Sequence, residues 1–143
     1  MKIYGVGTDI IKISRIKKAI KKKSFISRLF YKDEILKCKK LKNPSNCFAK
    51  RFAAKEAFSK AVGTGISNGI NFNEIVILNK KSGKPYINVI DQTKITLNRK
   101  FKRKKYKISL SLSDEKKYAV AFVTISIWTQ KKSFTLFTIM QKL

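Results

Sequence analysis

Histidine is absent from the chain, and cysteine occurs only twice, as Cys38 and Cys47 in a Lys-rich stretch without CxxC spacing. Zinc sites are built from clusters of these two residue types, so that chemistry is excluded. A lone pair of thiols reads as two reduced cysteines of a cytosolic protein rather than as a bridge. Acidic residues are also scarce, eight Asp and Glu against 34 Lys and Arg, for a net charge of +26. A field of that sign attracts polyanions of any kind, whether nucleic acid, anionic lipid, a phosphorylated cofactor or an acidic protein. Much of the excess is scattered in runs such as Lys21 to Lys23, Lys102 to Lys105 and Lys131 to Lys132, which equally suits a solvated surface. Long apolar runs are missing too. The longest, Ala119 to Trp128, is about half of the roughly 20 residues a membrane-spanning helix needs. Asp9 interrupts the apolar N-terminal segment, which argues against a secretory signal. The expectation is a cytoplasmic protein with no membrane association.

What is present suits one folded domain. At 143 residues with 43% hydrophobic content, a chain can remove roughly two-thirds of its unfolded surface from water. Met1 to Asp9 reads as a strand with Ile3, Gly5, Gly7 and Asp9 on one side, delivering Asp9 to its end. Ile13, Ile16 and Ile20 recur at helical spacing, which predicts an amphipathic helix from Ile10 or Ile11 to Lys23 with Arg15, Lys17, Lys18, Lys21 and Lys22 exposed. Ser24 is positioned to cap a short helix through Phe30, and Lys32 to Lys40 supports another before Asn43-Pro44. The clearest helix starts at Pro44 or Ser45, is rich in alanine, and stops at Gly63. Strand-like runs follow at Asn73 to Leu78, Lys84 to Ile90, Lys107 to Ser113 and Tyr118 to Trp128, with a helix predicted over Asp91 to Lys105. The order predicts an α+β fold: a single small domain over 1–128 with an antiparallel sheet and one long central helix, and a C-terminal extension, 129–143, of ambiguous structure.

Few residues carry chemistry. Glu56 and Lys60 stand four apart on the long helix, the spacing of an ordinary surface ion pair. Asp9 fits either an N-cap or a ligand of a hard divalent cation, which needs only one or two carboxylates beside water and substrate phosphates. Gly63-Thr64-Gly65 follows its helix instead of preceding one, so it is not a nucleotide P-loop, and alone it reads as a helix C-terminus. Arg51, Lys55 and Lys60 are cations able to neutralise phosphate, Arg51 through two bonds at once.

Taken in order, Gly5-Val6-Gly7-Thr8-Asp9-Ile10-Ile11, Arg15-Ile16, the run from Arg51 to Ile66 containing Ala53-Ala54-Lys55-Glu56-Ala57, Gly83-Lys84-Pro85, and Ser111 to Ala121 resemble the holo-acyl-carrier-protein synthases over about residues 2–127. That resemblance implies the phosphopantetheinyl transferase fold, assembled as a homotrimer with active sites between subunits. It also implies a magnesium-dependent transfer of the 4'-phosphopantetheine arm of coenzyme A to a serine of apo acyl carrier protein, releasing adenosine 3',5'-bisphosphate, in fatty acid biosynthesis. Asp9 and Glu56 fall on the family's magnesium-binding carboxylates, and Glu56 and Lys60 on its catalytic positions. Arg51, Lys60, Gly63, Thr64, Gly65 and Pro85 fall on positions that bind the cofactor. Arg15, Lys18 and Lys22 lie where the family docks the acidic carrier. Many relatives carry histidine where this chain has Asp114, so a required histidine base is excluded. A nucleic-acid-binding protein is the rival expectation from charge, yet no zinc finger, RNA-recognition motif or single basic tract supports it. An inactive scaffold retaining the trimeric fold is a third.

Overall fold

The N-terminal run of alternating and β-branched residues forms a strand longer than the spacing predicts, and this length sets where the first helix can begin. In the computed structural model, which describes residues 1–65 and 67–129, β1 spans Lys2–Lys12. It continues past Asp9 because Ile10, Ile11 and Lys12 pair with Val120, Ala119 and Tyr118. Asp9 therefore sits inside the strand and caps no helix. The register shifts between Ile3 and Gly5, so Ile3 leaves the side it was expected to share with Gly5 and Gly7 and lies exposed. Helix α1, Ile13–Ala19, begins only where the Ile13 amide donates to the Lys117 carbonyl at 2.8 Å.

Helix α2, Lys23–Leu29, follows after a break, with Lys22 rather than Ser24 at its N-cap position. Lys22 thus belongs to a different element from Arg15 and Lys18. Helix α3 is Lys32–Lys39 and α4 is Pro44–Val62. Pro44 suits the first turn of α4, where its missing N–H has no helical partner. Gly63 ends α4 in the left-handed region at φ 82°, its amide donating to the Ser59 and Lys60 carbonyls. A 3-10 turn, Phe72–Glu74, leads into β2, Ile75–Asn79, and β3, Pro85–Val89. Helix α5, Asp91–Lys100, stops five residues short of the prediction. Glu74 holds its first turn, accepting from the Thr93 amide and hydroxyl at 2.7 Å each.

Strands β4, Tyr106–Glu115, and β5, Tyr118–Ile127, form a hairpin whose loop is only Lys116-Lys117, since Glu115 and Tyr118 still pair. The antiparallel sheet has the order β1-β5-β4, and β2 and β3 form a separate hairpin. Helix α4 crosses the sheet and is buried on almost every side. Its small residues let the strand come close: a Cβ on Gly5 or Gly7 would overlap the carbonyl oxygens of Ala61 or Ala57. On the other flank of α4, Phe48 meets Phe30 edge to face at 4.9 Å and Phe52 meets Phe72 at 5.8 Å. The fold is the expected α+β arrangement around one long helix. Apart from Thr129, the proposed C-terminal extension lies outside the described residues.

Candidate active site

Because Gly7 lets β1 approach α4 closely, Asp9, two residues further on the same side, reaches the last turns of that helix. The Lys60 ammonium donates to Asp9 Oδ1 and to the Thr8 carbonyl, both at 2.9 Å. Lys60 is thereby turned away from the expected pairing with Glu56, one turn earlier on α4. Glu56 is half-buried. Burial first, and then the nearby Asp9 charge, raise its carboxyl above the ordinary value, with Lys60 opposing. Two carboxylates and one ammonium thus converge where β1 passes α4. The Gly63-Thr64-Gly65 turn leaves the same end of the helix, with Gly63 and Gly65 at φ 82° and 62°. Among the described residues, chain neighbours aside, nothing stands within 4 Å of where either glycine's Cβ would be, so the turn presents open backbone.

A second constellation lies nearer the start of α4. A cavity of about 560 Å³ is lined by Lys37, Lys42, Lys50 and Arg51, together with Asn46 and Pro85. Arg51 is only 5% exposed. Its Nη1 donates to the Cys47 sulfur at 2.9 Å and weakly to the Cys47 carbonyl at 3.4 Å. Its Nε and Nη2 have no hydrogen-bond partner among the described residues. Buried guanidinium donors are ordinarily satisfied, so these two donors beside a cavity are available to an anion. Burial lowers the Lys37 pKa, and the Arg51 charge lowers it further. Burial also lowers that of Arg51 itself, against the pull of Glu34. Asp114 is engaged by Lys50 at 2.9 Å and Asn46 at 3.4 Å. The Lys50 hydrogen bond holds it below the usual carboxylate range.

The two constellations do not meet within one chain. Arg51 and Lys60 are nine residues apart, about two and a half helical turns, and so project from opposite sides of α4. Their strand partners agree: Asp9 lies on the edge strand β1, while Leu112 at the cavity and Asp114 lie on the opposite edge strand, β4.

Three expectations change. Lys55 neutralises no ligand phosphate: it is fully buried and donates to Glu34 Oε2, Phe72 O and Ile75 O at 2.7–2.8 Å. Burial pushes its pKa down to about 8, with Glu34 opposing. Cys38 and Cys47 are joined in a disulfide, because the last turn of α3 and the first turn of α4 bring their Cα atoms to 5.4 Å. Lys22 stands apart from α1, while Arg15 and Lys18 are exposed on it. Sequence reading missed Glu34, Lys37, Lys42 and Lys50. Only the fold gathers these three lysines from the many, and nothing in the local pattern of Glu34 announces its contacts with Lys55 and the Ile77 amide, the latter at 3.1 Å.

Residues 5–123 match the model of the 4'-phosphopantetheinyl transferase superfamily. The chain is 48% identical over 125 residues to a holo-[acyl-carrier-protein] synthase of Pelagibacter ubique, covering 87% of this chain and 98% of that protein. Its fold is similar to the crystal structure of the Neisseria meningitidis holo-[acyl-carrier-protein] synthase, with a TM-score of 0.79 at 39% identity over 87% of this chain and 98% of the other. It is also similar to the Bacillus anthracis synthase in complex with CoA (3',5'-ADP), with a TM-score of 0.74 at 34% identity over 90% and 100% of the two chains.

Proposed function

Since the chain belongs to the 4'-phosphopantetheinyl transferase superfamily and matches holo-[acyl-carrier-protein] synthases over nearly their full length, we infer that it moves the 4'-phosphopantetheine arm of coenzyme A onto a serine of apo acyl carrier protein. The serine oxygen bonds to the β-phosphorus, the bond from that phosphorus to the bridging oxygen breaks, and adenosine 3',5'-bisphosphate leaves. The observation that carries the reading is the meeting of Asp9, Glu56 and Lys60 beside an open glycine turn.

The donor set suits magnesium. Among the described residues no three His, Cys, Asp or Glu side chains gather into a metal cluster, but magnesium commonly takes one or two carboxylates and fills its shell with water and phosphate. Asp9 and Glu56 are two hard oxygen donors near enough to raise the Glu56 pKa. They would hold the ion. When bound, magnesium supplies neutralisation of the charge on the diphosphate. The protein's own groups do the rest. The Lys60 ammonium, held by Asp9 and Thr8, stands ready to bind a phosphate oxygen. The Gly63-Thr64-Gly65 backbone admits the cofactor closely. With one oxygen toward the ion, the Glu56 carboxylate would use its other oxygen to accept the serine proton.

The basic cavity around Arg51 and Pro85 suits the bisphosphate end of coenzyme A. Because it lies across α4 from Asp9, one cofactor touches both constellations only where two copies of the chain adjoin. A homotrimer with shared sites accounts for this, supported by the outer sheet face, where Ile10 is 63% and Phe122 45% exposed. Arg15 and Lys18 on α1 offer an acidic carrier protein a basic approach, to which Lys22 would add its charge from the start of α2. No helix among the described residues is long and apolar enough to cross a membrane, in keeping with a cytoplasmic enzyme serving fatty acid biosynthesis.

Incubation with apo carrier, coenzyme A and magnesium is expected to add one phosphopantetheine mass to the carrier, read by intact mass spectrometry. No added mass with a competent carrier would sink this reading.

A further inference from the structure

The bridge between Cys38 and Cys47 is more than a link between two helices. It closes a short ring that contains Leu41, Lys42, Asn43 and Asn46, all of which line the basic cavity. Cys47 lines it as well, and its sulfur accepts from Arg51 Nη1 at 2.9 Å, while Nε and Nη2 have no partner among the described residues. The disulfide therefore orients the guanidinium and secures the loop that walls the site. Cys38 is fully enclosed, whereas Cys47 is 4% exposed, so the cavity is the route by which a small thiol reaches the sulfurs.

We propose that the Cys38–Cys47 disulfide is a positioning device for the adenosine bisphosphate end of coenzyme A, and that its reduction weakens binding there. Reduction proceeds by the usual exchange. A thiolate of a small dithiol attacks Cys47 Sγ, the S–S bond breaks, and the Cys38 thiolate leaves and takes up a proton. The second thiol of the reagent then displaces Cys47, which is protonated in turn. Two electrons pass from the dithiol, which becomes a disulfide, to the protein sulfurs. Arg51 then loses its fixed sulfur acceptor, and the ring segment from Lys39 to Asn46, with the loop between α3 and α4 at its centre, gains freedom. Binding and reduction are reciprocally coupled: a nucleotide that prefers the oxidised form also opposes reduction. It further covers the approach to Cys47. The Asp9, Glu56 and Lys60 cluster lies on the far flank of α4, so the effect falls on affinity more than on chemistry.

This inference rests on the assignment of the basic cavity to the bisphosphate, and its probe is adenosine 3',5'-bisphosphate, which has no thiol to disturb the bridge. Oxidised protein and protein reduced with dithiothreitol, with thiols counted by maleimide mass labelling, are titrated calorimetrically. Loosening of one charged hydrogen bond from Arg51 to the nucleotide, once the guanidinium is no longer held, predicts a Kd about tenfold weaker on reduction. KM for coenzyme A should rise in parallel while kcat stays within about twofold, and the nucleotide should slow the appearance of free thiols. The Cys38→Ser, Cys47→Ser double variant should show the weaker Kd under either condition. Equal Kd in the two states overturns the proposal, as does persistence of two free thiols after oxidation. A parallel loss of kcat and circular dichroism on reduction also overturns it, by showing a general staple. No binding in either state overturns it together with the cavity assignment, whereas the carrier mass assay reports on the transferase reading independently.

Discussion

Glu56 is the residue on which the electrostatics of the site turn. Its carboxyl titrates above the usual range because burial and Asp9 both penalise its charge. A protonated Glu56 is a poor cation ligand, so in the proposed magnesium site proton and metal would compete for it. The magnesium concentration needed for half-maximal turnover should therefore fall as pH rises through the raised Glu56 pKa, with a weaker dependence in Glu56→Gln. That variant should also lose at least about a hundredfold in kcat/KM. Its melting temperature should rise at neutral pH. There the wild-type folded state holds a charge that it disfavours relative to the unfolded chain, a penalty that grows as pH climbs past the ordinary carboxylate value. A turnover profile indifferent to magnesium at every pH would count against the assignment. The sequence singled out Asp9, Glu56 and Lys60 as candidates, but not the partner of Lys60. Helical spacing offers Glu56, while Asp9 arrives from a strand 51 positions away.

At the scale of elements, the contact of β1 with α4 decides whether the site exists. Gly5 and Gly7 face Ala61 and Ala57, and their missing Cβ atoms are the space in which backbone meets backbone. Gly7→Ala should cost about 1–3 kcal/mol of stability by forcing the helix off the strand. It should lower turnover more sharply than it lowers the melting temperature, because Asp9 withdraws from Glu56 and Lys60. Unfolding by urea together with the carrier assay measures both. An active, equally stable Gly7→Ala protein would show that the close approach is dispensable. The element pattern itself was largely readable. The boundaries that moved did so for tertiary reasons: β1 outlasted Asp9 because β5 was there to pair with, and α1 began only where Lys117 supplied an acceptor.

For the molecule as a whole, the two constellations lie on opposite flanks of α4, and in the proposed trimer with shared sites assembly becomes a requirement of turnover. Phe122 lies on the exposed outer face of the sheet, away from α4. Phe122→Lys should shift the sedimenting species from trimer to monomer with a retained circular dichroism spectrum, and transfer should fall to background. A monomer of full activity would mean that a single chain completes the site. The charge of +26 suits steering of an acidic partner, as long-range attraction accelerates encounter without specifying contacts.

The sequence by itself settled the fold class, the long helix with its proline start and glycine stop, and the ordered motifs that mark the family. These are written in local spacing and in residue types that few chemistries share. Tertiary structure decided the rest: that Lys55 is a buried partner of Glu34 and not a phosphate ligand, that Cys38 and Cys47 are bridged, that three scattered lysines and Arg51 share a cavity, and that this cavity faces away from Asp9. Each depends on which side of a helix meets which strand. That is set by close packing of glycine against alanine and phenylalanine against phenylalanine, at separations in sequence over which no local periodicity carries information.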